Sequence, residues 1–487
     1  MTRRLLVWAG IVLFGLIALT ATLQALQVLG MAASRLADPV VQVGLGLTVA
    51  FLGAVAFLVV ASGRWASASP RRESLAIWAG LALVVAVRVA VALLIDAPVD
   101  RDMRYYDESA AGFARGECCF LTRPVGYPLL LAGAYVLIGR GALAGEILNI
   151  GAALAGAIVL AAVVRRAFNG PAAAVTVVLY ALWPAGALMS SARMAETVYT
   201  SQLLVAVGAA VMGGTAASWG LITGAILGAS QYVRAISVAF VPVFLLVRLV
   251  RRPAPRRSAV LSMAGVVVGF VLVLGPVVWH NWHAHGELSV STHSYGGLSV
   301  WQGSDQASGG RFSLETWAAY PHLSSGDLWE DGKVAARLGW QRIADDPGAF
   351  LALQLRKFPF TWGSEDYGVL FGVGASAPTE PRYTFPSLAG QVFYAVVTVT
   401  AFLTLLVRRG LPLDALTSLA IGTSLTTAGI HFFLEARERY HMYVVPLLMA
   451  VAAVGLIRAM AVIDRSRDDR RNTSQRFSGG PGSTDPM

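Results

Sequence analysis

Charge is what this chain has least of. Only 14% of its 487 residues are Asp, Glu, Lys or Arg, where soluble domains carry about 25%. Cysteine is nearly absent: there are two, adjacent at Cys118 and Cys119. Neighbouring cysteines seldom pair with each other, so no disulfide framework is implied. The chain also lacks a strand, Gly-rich loop and helix pattern for a nucleotide. It shows no internal repeat of the kind that gives many transporters two inverted halves.

Apolar residues fill the space that charge leaves. They make up 56% of the chain, with a mean hydropathy of +0.62, and they gather in repeated runs of roughly 20 residues, the length that crosses a bilayer as a helix. The composition therefore predicts an all-α polytopic membrane protein. The formal charge of +10 would suit a nucleic-acid binder. Here, however, the basic residues stand as short pairs between hydrophobic runs, as the positive-inside rule requires.

With the N-terminus inside, about twelve spans are expected, near 5–29, 40–62, 75–95, 145–166, 172–190, from 197 onward, two short ones in 217–250, then 259–281, 386–407, 411–433 and 442–462. The run after Met1-Thr2-Arg3-Arg4 has no convincing cleavage site and is expected to stay as the first span. Basic doublets at 165, 251, 256 and 408 all fall inside on this count. The segment 128–139 is apolar but too short to cross. The organisation follows: N-terminal helices over 1–74, a core over 75–282 with a first outer loop at 96–144, a long outer-face region over 283–384, C-terminal helices over 385–463, and a disordered cytoplasmic tail over 464–487.

The outer face collects the unusual residues. The stretch 102–128 is acid-rich and aromatic-rich, between spans where bare carboxylates are expensive unless water or a substrate meets them. Asp102 can serve there as a general base toward a hydroxyl, with Asp100 and Asp107 as rivals and a solvated loop acid as the plain alternative. Arg123 can hold a phosphate or snorkel to headgroups. Glu196, the lone acid opening an apolar helix, is either a dipole-favoured N-terminal charge or a second cavity acid. Arg234, between two short apolar helices, needs an anionic partner. Arg437 and Arg439 stand on the wrong side for positive-inside bias, which favours anion binding. All seven histidines (His280, His283, His285, His293, His322, His431 and His441) fall on the outer face of this topology. None shows tight metal-ligand spacing with a carboxylate, so interface or loop histidines are the simpler reading and the metal is left unknown.

Several short motifs occur in a telling order. Asp102, Tyr106, Ala110 and Gly116 precede Arg123-Pro124-Val125-Gly126-Tyr127-Pro128. Glu196 follows, then Arg234 at the end of a Gly-rich run, Pro276-Val277-Val278-Trp279-His280-Asn281-Trp282, Ser291-Thr292 through Gly296-Gly297 to Trp301, and Arg439-Tyr440 before the last span. This order resembles the GT-C membrane glycosyltransferases, in the bacterial branch related to protein O-mannosyltransferases and to the aminoarabinose transferase of lipid A. Ala235, His280 and Ser304 depart from the family pattern.

The resemblance implies a polyprenyl-phosphate sugar donor, an acceptor protein, lipid or glycan, membrane lipids as surroundings and no nucleic acid. It implies a multi-pass plasma-membrane enzyme whose site faces outward. Asp102 would deprotonate or orient the acceptor hydroxyl. Glu196 would orient the acceptor or assist a divalent metal, whose use stays open. Arg123, Arg234 and Arg439 would hold the donor phosphate, and Tyr106, Tyr127 and Tyr440 would line the substrate. A single displacement would invert the anomeric carbon. The competing class is a transporter or flippase of a lipid-linked glycan, which would also use cavity acids and arginines; a non-catalytic scaffold or polymer ligase is the third.

Overall fold

The computed structural model describes residues 2–99, 101–117, 123–214, 216–250, 256–293, 296–313, 326–374, 380–407 and 414–478. Asp100, Cys118, Cys119 and His322 lie outside them. The described chain is 84% helical without strands; one isolated parallel bridge joins Arg311 and Ala436. Among the described residues seven helices are long and apolar enough to cross a membrane: Arg4–Ala33, Pro39–Ser67, Pro70–Leu94, Ala142–Ala167, Arg257–His285, Arg382–Val407 and Glu438–Arg467. Each of the other expected spans also falls on a helix, but a shorter one. These include Gly170–Ala181, Glu196–Met212, Ala217–Val233 and Ala415–Phe433.

Two of the shorter elements have clear causes. The span expected over 172–190 stops at Ala181, because Trp183 is extended (φ −68°, ψ 108°) ahead of Pro184, and a five-residue helix restarts there. Gly126–Ile138 has 13 residues, about 20 Å of helix against a hydrocarbon core of about 30 Å.

Two expectations differ from the structure. The stretch opening at Asp102 is not a loop but an amphipathic helix, Arg101–Ala114. Met103 and Ala110 are buried on one side, with Tyr106 packed beside them, so the run has helical rather than loop spacing. The last helix also continues to Ser478, past the start of the polar tail expected at 464.

Close helix packing sets the frame around the site. Ala217–Val233 lies against Arg256–His285 through Gly220, Gly224, Gly265 and Gly269. A methyl group on Gly224 would fall 1.9 Å from the Val266 carbonyl oxygen, and one on Gly269 2.1 Å from that of Leu221. Small residues at every fourth position let two apolar helices approach backbone to backbone. That contact fixes the end of Ala217–Val233, where Arg234 is the capping residue. Gly126 closes on the same end, since a Cβ there would sit 2.7 Å from the Tyr232 carbonyl. The turn carrying Arg123 and the helix end carrying Arg234 are thereby brought together.

Candidate active site

Five charged side chains from separate segments form one alternating line. Asp102, in the first turn of Arg101–Ala114, accepts from Arg123 through one oxygen and from Arg439 through the other. Arg439 also places its Nε 3.2 Å from Glu196 Oε1. Arg234 donates to that same oxygen at 2.7 Å. The order is Arg123, Asp102, Arg439, Glu196, Arg234: three guanidiniums against two carboxylates, a surplus of one positive charge. Burial alone would raise the Asp102 carboxyl, but Arg439 and Arg123 outweigh it and hold it well below the ordinary carboxylate range.

Aromatic faces support the cations. Arg123 lies over the Tyr105 ring at 5.0 Å and Arg234 over the Tyr440 ring at 5.1 Å. Tyr106 and Tyr127 meet edge to face at 5.3 Å. Burial, followed by the nearby Glu196 and Asp102 charges, pushes the Tyr106 phenol up to about 12, so it stays protonated at neutral pH.

Asp102, Tyr106, Arg123, Arg234, Arg439 and Tyr440 line one cavity of about 210 Å³. Glu196 is 2% exposed and reaches this cavity only through Arg234 and Arg439. Tyr127 is fully buried at the start of its helix. Of the rivals to Asp102, Asp107 is spent elsewhere: Tyr135 donates to it at 2.5 Å, Arg193 at 2.6 Å, and Arg140 as well. It pins Arg101–Ala114 to its neighbours rather than facing the cavity.

The histidines separate on the structure. His280, His283 and His285 are exposed, while His293 and His431 line the cavity. Burial, then the Arg123 charge, pulls His293 down to about 4, leaving it neutral. Among the described residues no three His, Cys, Asp or Glu side chains gather as a metal group. Asp102 has both oxygens on guanidiniums and Glu196 shares one oxygen between two, so these residues as arranged do not fit a divalent cation.

The site includes residues outside the sequence motifs, among them Arg437, which stands out in the sequence by its place against the positive-inside bias. Arg437 lines the cavity over the Phe312 ring at 4.5 Å, and no carboxylate pairs with it among the described residues. Glu435 lines it too. Lys357, one of two lysines in the chain, is 2% exposed and donates to the carbonyls of Gly303 (2.9 Å), Phe432 (3.1 Å) and Leu434 (2.8 Å). The rarity of lysine was the one local signal for it.

No protein-family model matches the sequence, and no curated protein does. Among solved structures, the chain is similar to the oligosaccharyltransferase of Archaeoglobus fulgidus in its apo form, at 11% identity and a TM-score of 0.49 over 81% of this chain. It spans about half of that protein, 52%. It is also similar to ArnT from Cupriavidus metallidurans bound to undecaprenyl phosphate, at 16% identity and a TM-score of 0.41, over 78% of this chain and 77% of that one. A third likeness is to the oligosaccharyltransferase AglB from Archaeoglobus fulgidus with an inhibitory peptide and a dolichol-phosphate, at 12% identity and a TM-score of 0.49, over 85% of this chain and 52% of that one. Both matched proteins are GT-C-fold glycosyltransferases, the group this sequence resembles.

Proposed function

We propose that this chain is a membrane glycosyltransferase that moves a sugar from a polyprenyl-phosphate donor to an acceptor hydroxyl at the outer face of the plasma membrane. The observation that carries this reading is the line of three guanidiniums and two carboxylates along one cavity. A phosphodiester carries one negative charge, and the line has one positive charge to spare.

The chemistry follows from the same residues. The acceptor oxygen attacks the anomeric carbon while its proton passes to Asp102. The bond from that carbon to the phosphate oxygen breaks, and its electron pair leaves with the lipid phosphate. That leaving group is weakly basic and needs charge stabilisation, which Arg123, Arg439 and Arg234 supply. One displacement inverts the anomeric carbon. While both guanidiniums hold Asp102 it is a poor base. A donor phosphate that draws Arg123 and Arg439 toward itself restores basicity as the complex assembles.

Transfer from a panel of polyprenyl-phosphate sugars by the purified protein, beside Asp102→Asn, tests the reading. The expected result is product from the native chain and a loss of about 10²–10⁴-fold in the variant with donor binding kept. Equal rates would remove Asp102 as base. Lipid translocation across vesicles without transfer would instead establish a flippase.

A further inference from the structure

The cavity has a second carboxylate wall that the arginine line does not use. Glu435 is 8% exposed and lines the cavity. Its Oε1 accepts from the Tyr440 hydroxyl at 2.6 Å, and its Oε2 has no hydrogen-bond partner. Asp102 and Glu196 are both ion-paired; Glu435 makes no ion pair among the described residues. A buried carboxylate oxygen without a hydrogen-bond donor is costly unless a ligand completes it.

The backbone around Glu435 is held at three successive residues. Lys357 donates to the Leu434 carbonyl at 2.8 Å, His431 Nδ1 to the Glu435 carbonyl at 3.2 Å, and the Ala436 amide to the Gly310 carbonyl at 2.9 Å. Tyr440 links this wall to the cationic one: its hydroxyl binds Glu435 while Arg234 lies over its ring at 5.1 Å. A rigid segment thus presents one unfilled acceptor oxygen beside the phosphate-binding cations.

The geometry points to Glu435 as a sugar-recognition residue whose free oxygen accepts the hydrogen of a sugar hydroxyl. The inference rests on the transferase reading above and adds a ligand group to it. That hydroxyl belongs either to the sugar being transferred or to the acceptor, and the two sources separate by experiment.

The test measures binding of polyprenyl-phosphate mannose and of bare polyprenyl phosphate by the purified full chain, the Glu435→Ala and Glu435→Gln variants, and then the acceptor KM. If the hydroxyl is the donor's, the native chain prefers the mannose lipid about tenfold, Glu435→Ala abolishes that preference, and affinity for the bare lipid is unchanged. If it is the acceptor's, both lipid affinities hold and the acceptor KM rises about tenfold. Glu435→Gln keeps an acceptor oxygen and shows a smaller loss in the same direction, which serves if the alanine variant does not fold. Unchanged lipid affinities together with an unchanged acceptor KM overturn the inference alone. A native chain that binds neither lipid overturns the transferase reading and this inference with it.

Discussion

His441 Nε2 lies 2.9 Å from Glu365 Oε1, while the Nδ1 of the same ring lies 2.6 Å from the Thr361 carbonyl oxygen. A carbonyl accepts only, so Nδ1 carries a proton. One proton shared between Nε2 and the facing carboxylate oxygen joins the two side chains as a buried hydrogen-bonded pair. Glu365 also accepts from the Trp183 indole at 2.7 Å. Both members of the pair are at most 2% exposed. His441 sits in the same 3-10 segment, Glu438–Val444, as Arg439 and Tyr440, so this hydrogen-bonded pair anchors the segment that carries two cavity residues.

Breaking the pair from one side leaves a buried polar group without its partner. Glu365→Gln and His441→Gln should each lower unfolding stability by about 1–3 kcal/mol. The double variant should lose clearly less than the sum, because removing both partners removes the penalty each leaves behind. Thermal unfolding of the four proteins in one detergent measures the coupling. Additive losses would show that the two side chains do not act as a pair.

Asp102 sets a pH dependence with a definite sign. Its carboxyl is held low by Arg439 and Arg123 against the opposing effect of burial. A depressed folded-state pKa adds stability that is fully present above the unfolded value, near 4, and is lost as pH falls through the folded one. Stability from this group should therefore be flat from neutral pH down to about 4 and fall below that. Arg123→Gln removes one of the two restraints, brings the folded-state value closer to the unfolded one, and should make the fall below about pH 4 smaller. Unfolding midpoints between pH 3 and 7 for both proteins provide the check, and superimposable curves would contradict the assignment.

How legible this site is in the sequence depends on the residue. Asp102, Arg123, Arg234 and Arg439 stand in motifs whose order marks them, and all four line one cavity. Their pairing is another matter, since Asp102 and Arg439 are 337 residues apart and nothing local says that they touch. Glu365 and Lys357 owe their roles to distant partners, whereas Glu435 pairs with Tyr440 only five residues on. The helix at Arg101–Ala114 had a local signal: Met103, Tyr106 and Ala110 recur at spacings of three and four. Its charges suggested a loop, but Asp107 and Asp102 are each neutralised by arginines from elsewhere in the chain.

Arg439 is the central link, and its geometry makes a lysine a poor replacement. One terminal nitrogen serves Asp102 while Nε lies 3.2 Å from Glu196. A guanidinium spans two carboxylates with fixed, separated donors, whereas an ammonium offers one point of charge. Arg439→Lys should cut transfer by about 10²-fold or more even though charge is conserved. Arg115→Lys, whose partner is the exposed Glu117, should leave it unchanged. Steady-state rates with saturating donor compare the two.

The glycine contact behind Arg234 can be tested without touching any charged group. A Cβ on Gly224 would lie 1.9 Å from the Val266 carbonyl oxygen and 2.9 Å from the Phe270 amide nitrogen, so backbone rather than a flexible side chain must give way. Gly224→Ala should force Ala217–Val233 away from Arg256–His285, shift the helix end that carries Arg234, and lower both stability and transfer. Gly151→Ala is the matched control: its added methyl meets nothing within 4 Å, and replacing a mid-helix glycine by alanine should stabilise by up to about 1 kcal/mol. Opposite shifts in unfolding temperature for the two variants are expected. A Gly224→Ala protein as stable and active as the native one would mean that the two helices do not need this approach to place Arg234.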